Sequence, residues 1–327
     1  MRQRVTQGGI MRIAIAGGGG FAYILAQYLT QSANPVLVVT RQPHPEFEES
    51  FPECQVAVVD FENVEDIRYA LQGTDLVIST ISGAEQLNLI DAAKRVRVRY
   101  FVPSEFEGEI GRRPTNDPID RGFQATREVL ERFSQLRTHP MRYTVFSCGL
   151  FMERFGPGGL QAYNMGSSQG VQAPNDYLVN VAEATAEVVE TDRRGRPAQV
   201  ALTSVYDVAQ FMAAAVELGP ANWPNEFRMR GDCMTVRELV AACSTVRGVP
   251  FRMVNRTYQD AETLAEGCRR GNDAALWLYY QRLLQTANGR YQVRQVNLNE
   301  AVNQTESTQV RPMRFRTWLE QVWGPVV

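Results

Sequence analysis

The sequence predicts an α/β protein, a Rossmann-type doubly wound parallel sheet followed by a smaller C-terminal α/β domain. Three observations carry this. Strands and helices alternate strictly through the first half of the chain, which implies parallel strands joined by crossover helices. The strand segments are continuous apolar runs, as strands covered on both faces must be. Four glycines, Gly17 to Gly20, separate the first such run from a helix-period pattern.

Taken in order, Ile13 and Ile15 sit in the first strand, and Ile24, Leu25, Tyr28 and Leu29 mark one face of the first helix. Pro35 to Arg41 and Gln55 to Asp60 read as the second and third strands, with a polar, proline-bearing loop between them. Asn63 to Leu71 has helical spacing, Asp75 to Thr80 is a strand, Ala84 to Arg95 a helix and Arg99 to Pro103 a fifth strand. Ile119 to Leu136 reads as a long helix and Met141 to Cys148 as the sixth strand, followed by a glycine-rich loop from Gly156 to Gly170. Beyond it the alternation weakens to a strand at Ala198 to Thr203, a helix at Val205 to Leu218 and a short strand at Phe227 to Arg230. Thr235 and Glu238 form a capping box, each side chain satisfying the other's exposed backbone donor, ahead of a helix through Val246. Tyr258 to Thr286 reads as mainly helical, the Asn- and Gln-rich stretch from Val296 to Gln309 as a loop or mobile segment, and Phe315 to Val322 as a final helix. This divides the chain into a tail (1–10), a nucleotide-binding domain (11–155, with a returning element near 198–218) and a mainly substrate-binding remainder (156–327).

The 327 residues are 44% hydrophobic and 21% charged, ordinary globular material. A net charge of -2 with no basic block argues against nucleic acid as a direct partner, since phosphate binding needs clustered Lys and Arg. Five scattered cysteines form no C-x-x-C pair and read as reduced thiols. Only His44 and His139 are present, each beside proline in turn-like sequence, which leaves little for a metal site or a Ser-His-Asp triad. No apolar stretch approaches a membrane span and Met1 to Gly9 is polar, so a cytoplasmic protein is expected.

Gly17-x-Gly19-x-x-Ala22 fits the dinucleotide fingerprint. The first glycine makes the tight turn, the second admits a pyrophosphate, and the third position lets helix and strand pack closely. A phosphate loop of the GK[ST] type is excluded, because no lysine follows. The second strand ends in Thr40-Arg41 and the nearest acids, Glu46 and Glu48, come several residues later. A cation there suits a 2′-phosphate, so NADP(H) is favoured over NAD(H).

With the glycine turn, the Thr40-Arg41 ending, Val102-Pro-Ser-Glu-Phe106 after the fifth strand and Cys148-Gly-Leu-Phe-Met152 after the sixth, the chain resembles the NmrA-like proteins. That group includes isoflavone-reductase-like enzymes, an atypical branch of the short-chain dehydrogenases. The resemblance runs from about Ile13 to Leu239 and implies NADP(H) between a Rossmann domain and a small substrate domain. It places Gly17, Gly19, Gly20 and Phe21 at the pyrophosphate, Arg41 at the 2′-phosphate, and Thr80 and Ile81 along the middle of the cofactor. Ser104 and Phe106 then approach the nicotinamide side, with Gly149, Phe151 and Met152 around ring and substrate. Ordinary core packing is the alternative for Phe106 and Phe151.

The chain departs from this pattern at the general acid. Where the family's reductases carry a lysine, four residues before an arginine matching Arg127, this sequence has Phe123, here expected against substrate; the only lysine, Lys94, reads as a solvated surface residue. The segment Arg112 to Arg121 offers replacements: Asp117 or Asp120 as helix cap, Arg121 as a group that polarises a substrate oxygen, and Asp117 as the better proton donor. The expected function is an NADP(H)-dependent oxidoreductase for a bulky, largely apolar small molecule, extending to redox-coupled ring formation in fungal alkaloid or polyketide biosynthesis. The alternatives are a dinucleotide-sensing regulator without turnover, or a cyclase or isomerase using the cofactor as scaffold.

Overall fold

The computed structural model describes residues 10–166 and 177–324. The expected tail up to residue 9 and the far part of the glycine-rich loop, 167–170, lie outside the described residues.

The first half folds as β1 (Ile13–Ala16), α1 (Gly20–Leu29), β2 (Val36–Thr40), α2 (Pro45–Ser50), β3 (Cys54–Val58), α3 (Val64–Ala70), β4 (Leu76–Ser79), α4 (Ala84–Arg95) and β5 (Tyr100–Val102). Next come α5 (Phe123–Ser134), β6 (Arg142–Tyr143), β7 (Val145–Ser147) and β8 (Leu150–Phe151). β1 to β6 form one sheet in the order β3-β2-β1-β4-β5-β6, parallel throughout. The order reverses between β1 and β4, and ligands bind in the crevice beyond the carboxyl ends of the strands at such a point. Every residue of β1, β2 and β4 is buried, which is why these strands read as unbroken apolar runs.

The second half contains β9 (Val179–Asn180), β10 (Thr185–Val189), β11 (Gln199–Thr203), α6 (Val205–Leu218), β12 (Glu226–Arg228), β13 (Asp232–Thr235), α7 (Val236–Arg247) and β14 (Arg252–Arg256). The chain continues through α8 (Tyr258–Arg270), α9 (Ala274–Ala287), α10 (Asn297–Val302) and α11 (Phe315–Trp323). Three small sheets, β14-β10-β9, β13-β11-β8 and β12-β7, extend the structure beyond the main sheet. α6 returns to the first half: its apolar face, including Val208, Phe211 and Met212, shares one core with Ile24 and Leu25 of α1, and Gln210 Nε2 donates to the Tyr28 hydroxyl at 3.1 Å. Burying each such side chain contributes about 1.5–3 kcal/mol.

The polar loop after β2 holds α2, and the single strand read at Met141 to Cys148 is two, β6 in the main sheet and β7 paired with β12. Three further elements differ from the sequence reading for local reasons. α5 starts at Phe123 rather than Ile119, because the Asp120 carboxylate accepts from the Phe123 and Gln124 N–H groups and fixes the start. The long helix after Tyr258 is two helices, broken at Gly271–Asp273, where Asp273 caps α9 by accepting from Leu276 N. The Asn-rich stretch holds α10, and its amides act as a substitute strand. Asn297 accepts from Arg228 N at 2.7 Å and donates to Glu226 O at 3.1 Å, while Asn299 does the same for Arg230 at 3.2 and 3.0 Å.

Lys94, at the end of α4, donates to the His139 carbonyl at 2.6 Å on the edge where β5 and β6 begin, away from the crevice. Among the described residues no helix is long and apolar enough to cross a membrane.

Candidate functional site

A cavity of about 1130 Å³ opens at the carboxyl ends of the central strands. One end is the glycine turn. Gly17 has φ +125°, and a Cβ there would overlap Thr80 Oγ1; a Cβ on Gly18 would overlap the His44 ring. Side chains are thus excluded from the turn on two sides, and backbone alone faces the cavity. The N–H groups of Gly18, Gly19, Phe21 and Ala22 have no acceptor among the described residues, whereas Gly17 N donates to Val39 O and Gly20 N to Asn164 O at 3.1 Å. Unsatisfied donors at a helix N-terminus suit an anion.

Gly20 is consequently engaged by the 3₁₀ turn Gly159–Tyr163 rather than open to the cavity: a Cβ on it would overlap the Tyr163 carbonyl. His44, read from the sequence as a loop residue, stands at the turn, with Nδ1 2.7 Å from Glu46 Oε1. Arg41 lines the same end and pairs with Glu85 at 3.1 Å, both side chains partly in solvent, so the guanidinium can exchange this partner at little cost.

Along the middle lie Thr80, whose hydroxyl donates to Ala16 O at 2.9 Å, and Ile81. The other end is aromatic. Phe21 packs edge-on against Phe106 at 4.8 Å and tilted against Phe151 at 5.6 Å, and all three line the cavity, so core packing and pocket lining coincide here. The Glu107 carbonyl accepts from both Cys148 N and Gly149 N, drawing the loop after β5 to the loop after β7. Gly149, at φ +76°, allows that approach, since a Cβ would overlap the Ala201 carbonyl. Ser104 reaches the cavity with its N–H held by Gln86 Oε1 at 2.7 Å.

Beneath this end runs a buried ionic layer. Glu107 accepts from Arg290 at 2.6 Å and pairs with Arg113 at 3.3 Å, Glu105 pairs with Arg113 at 2.8 Å, and Asp117 binds Arg290 and Gln285. Burial alone would raise the Glu107 carboxyl, but the two guanidinium groups outweigh it and hold Glu107 well below the usual carboxylate range. Burial dominates at Glu105 and pushes its carboxyl up.

Three residues expected at the site are elsewhere. Asp117 does not line the cavity, because its carboxylate is committed to Arg290 and Gln285. Phe123 is buried in the core behind α5 with the Arg113 guanidinium 4.4 Å from its ring centre, so it does not line the cavity. Met152 is fully buried in the C-terminal core. Arg121 and Asp120 do line the cavity. In place of the missing three, the cavity is lined by Arg154 from the turn after β8 and, further along the chain, by Tyr177, Leu278, Arg282 and Tyr291. Residues from α9 and the turn after it could be assigned to this wall only from the tertiary structure.

Tyr291 is buried and stands edge-on to Tyr177 at 6.2 Å. No described residue hydrogen-bonds its hydroxyl, and burial raises it above the usual tyrosine range, so it carries its proton at neutral pH. Glu153, beside Arg154 in sequence, turns away from the cavity and caps α6, accepting from Ser204 Oγ at 2.7 Å and Val205 N at 3.0 Å. Burial pushes its carboxyl up to about 7.

The sequence profile of the NmrA-like family matches residues 11–316. Phenylcoumaran benzylic ether reductase IRL1 of Ginkgo biloba is 29% identical over 198 residues, 55% of this chain and 60% of that protein. The match therefore spans well under the full length of this curated relative. Among solved structures, AtPrR2 with NADP+ and (+)-pinoresinol superposes with a TM-score of 0.67 at 17% identity, covering 96% of this chain and 99% of that one. The NADPH complex of quinone oxidoreductase QOR2 from Escherichia coli gives 0.65 at 14% identity, covering 95% and 99%. At these identities the likeness is one of fold.

Proposed function

The chain belongs to the NmrA-like family, and on that premise we propose that it is an NADP(H)-dependent reductase of a bulky, largely apolar small molecule. The observation that carries this reading is the single cavity that begins at Arg41 and the open N–H groups of the glycine turn and ends against Phe106, Phe151 and Tyr291. Its 1130 Å³ exceeds the roughly 300–1,000 Å³ of most small-molecule sites, room for a dinucleotide and a second molecule together. The Ginkgo relative is a benzylic ether reductase and QOR2 an NADPH-dependent quinone oxidoreductase, and the two solved neighbours carry NADP+ and NADPH. In this reading residues 11–155 supply the cofactor side and 156–327 most of the substrate side.

The residues present fit the cofactor. Gly17, Gly19 and Phe21 would hold the pyrophosphate through the turn's backbone, Arg41 the 2′-phosphate, and Thr80 and Ile81 the middle, with Phe106, Phe151 and Gly149 bounding the nicotinamide. When bound, the nicotinamide supplies the hydride. The protein's own part is to orient substrate and deliver a proton. Ser104 and Arg121 hold substrate oxygens. With no lysine at Phe123 and with Asp117 locked, the proton comes from Tyr291, which lines the cavity and whose hydroxyl no described residue hydrogen-bonds.

The test is NADPH consumption with a panel of conjugated aromatic ketones and benzylic ethers, followed at the reduced-nicotinamide absorbance. Turnover is expected, with kcat about 10²–10⁴-fold lower in Tyr291→Phe and KM little changed. Phe123 in place of the family lysine favours a second reading, a regulator that binds the dinucleotide without turnover; tight NADPH binding with no consumption across the panel would establish it. Ring formation on a fungal metabolite draws on no residue of the cavity and stands outside the proposal.

A further inference from the structure

Arg154 lies on the substrate-side wall, carried by the 3₁₀ turn Met152–Phe155 between β8 and the glycine-rich loop. Its guanidinium stands 5.7 Å from the centre of the Tyr177 ring, and among the described residues no carboxylate pairs with it and no acceptor hydrogen-bonds it. Burial is the largest influence on it and lowers it from the ordinary arginine range, with Arg282 and Arg121 acting in the same direction. A guanidinium keeps its charge at any pH a protein survives, so the cost of placing it here cannot be avoided by losing a proton.

Among the described residues, the carboxylates around it are already committed. Glu107 is shared by Arg113 and Arg290, Asp117 is held by Arg290 and Gln285, Asp120 caps α5, and Glu153 caps α6. Elsewhere in the fold the buried cations Arg113 and Arg290 each have carboxylate partners. The open wall of the cavity is the side from which Arg154 can gain one.

We propose that Arg154 is an anion subsite for the molecule that shares the cavity, whose substrate therefore carries a carboxylate or comparable anionic group on an apolar aromatic body. This deepens the reductase reading and rests on its assignment of the cavity's two ends. The apolar body would lie against Phe106, Phe151 and Leu278, and the anion would supply the planar, two-oxygen partner a guanidinium fork binds best.

Cinnamate, its uncharged methyl ester and cinnamyl alcohol provide the probes, titrated calorimetrically into the protein with and without saturating NADPH. Cinnamate is expected to bind about 10- to 100-fold more tightly than the ester or the alcohol. Arg154→Gln should abolish that preference, Arg154→Lys should keep part of it, and NADPH affinity should be unchanged in both. Arg154→Met should leave Tm unchanged or raise it slightly, because a half-buried guanidinium with no carboxylate partner among the described residues is removed. Cinnamate binding no better than its ester, or not at all, overturns the proposal. So does a preference that survives Arg154→Gln, a loss of NADPH affinity in that variant, or a lower Tm in Arg154→Met, which would give the residue a cofactor-binding or structural role. Failure of the wild type to bind NADPH would instead sink the reductase reading, and the comparison in cofactor-free protein would still decide this one.

Discussion

Replacing Glu153 by glutamine should flatten part of the pH dependence of folding. The carboxyl is buried where β8 meets α6, its oxygens accept from Ser204 Oγ and Val205 N, and burial raises it from 4.5 to about 7. The folded protein therefore holds a proton that the unfolded chain releases between about pH 4.5 and 7. Stability from this group is full below about pH 4.5 and declines by about 1.4 kcal/mol per pH unit until pH 7, about 3 kcal/mol in all. Glutamine keeps the geometry, with its carbonyl accepting from Val205 N and its amide donating to Ser204 Oγ. Asp207, raised by burial from 3.8 to about 6, acts with the same sign at lower pH and is present in both proteins. Urea unfolding followed by tryptophan fluorescence from pH 5 to 8 is the assay. The variant should gain about 2.5 kcal/mol on the wild type across that range, mostly by pH 7. Parallel stability profiles would refute the reasoning, since they would mean Glu153 is ionised in the folded protein throughout.

Phe123→Lys should not restore the family's proton donor. It places an ammonium in the core beneath the Arg113 guanidinium, and a loss of about 3 kcal/mol or more in unfolding free energy is expected, with no gain in NADPH consumption. Arg41→Ser should weaken NADPH binding about 10- to 100-fold by equilibrium titration while leaving NADH affinity and Tm nearly unchanged, because the Arg41–Glu85 pair is exposed.

The main sheet was legible because each of its central strands is buried on both faces and therefore announces itself as an apolar run. The cofactor end of the cavity was legible for a related reason: it is built from consecutive residues, and a glycine turn between strand and helix has one conformation to offer. The substrate end is assembled from four distant stretches, and there local signals misled. Asp117 and Asp120 look equivalent in sequence, yet only Asp120 meets the helix donors and only Asp117 meets Arg290. Phe123 was expected in the cavity because the family's lysine points there, but at a helix's first turn an aromatic ring gains more by turning into the core under Arg113. The polar run at Val296 to Gln309 read as loop because its asparagines pair with backbone on β12 and beyond, contacts that leave no periodicity.

Among all 327 residues Lys94 is the only lysine. Its amine sits at the start of β5, on the edge of the sheet opposite the cavity, resting on the His139 carbonyl. Apart from the α-amino group, amine-directed chemistry has a single address on this protein. Coupling to a sensor chip or a resin through Lys94 would tether the molecule by its back and leave the ligand-facing edge turned toward the solution, an orientation most proteins must be engineered to adopt.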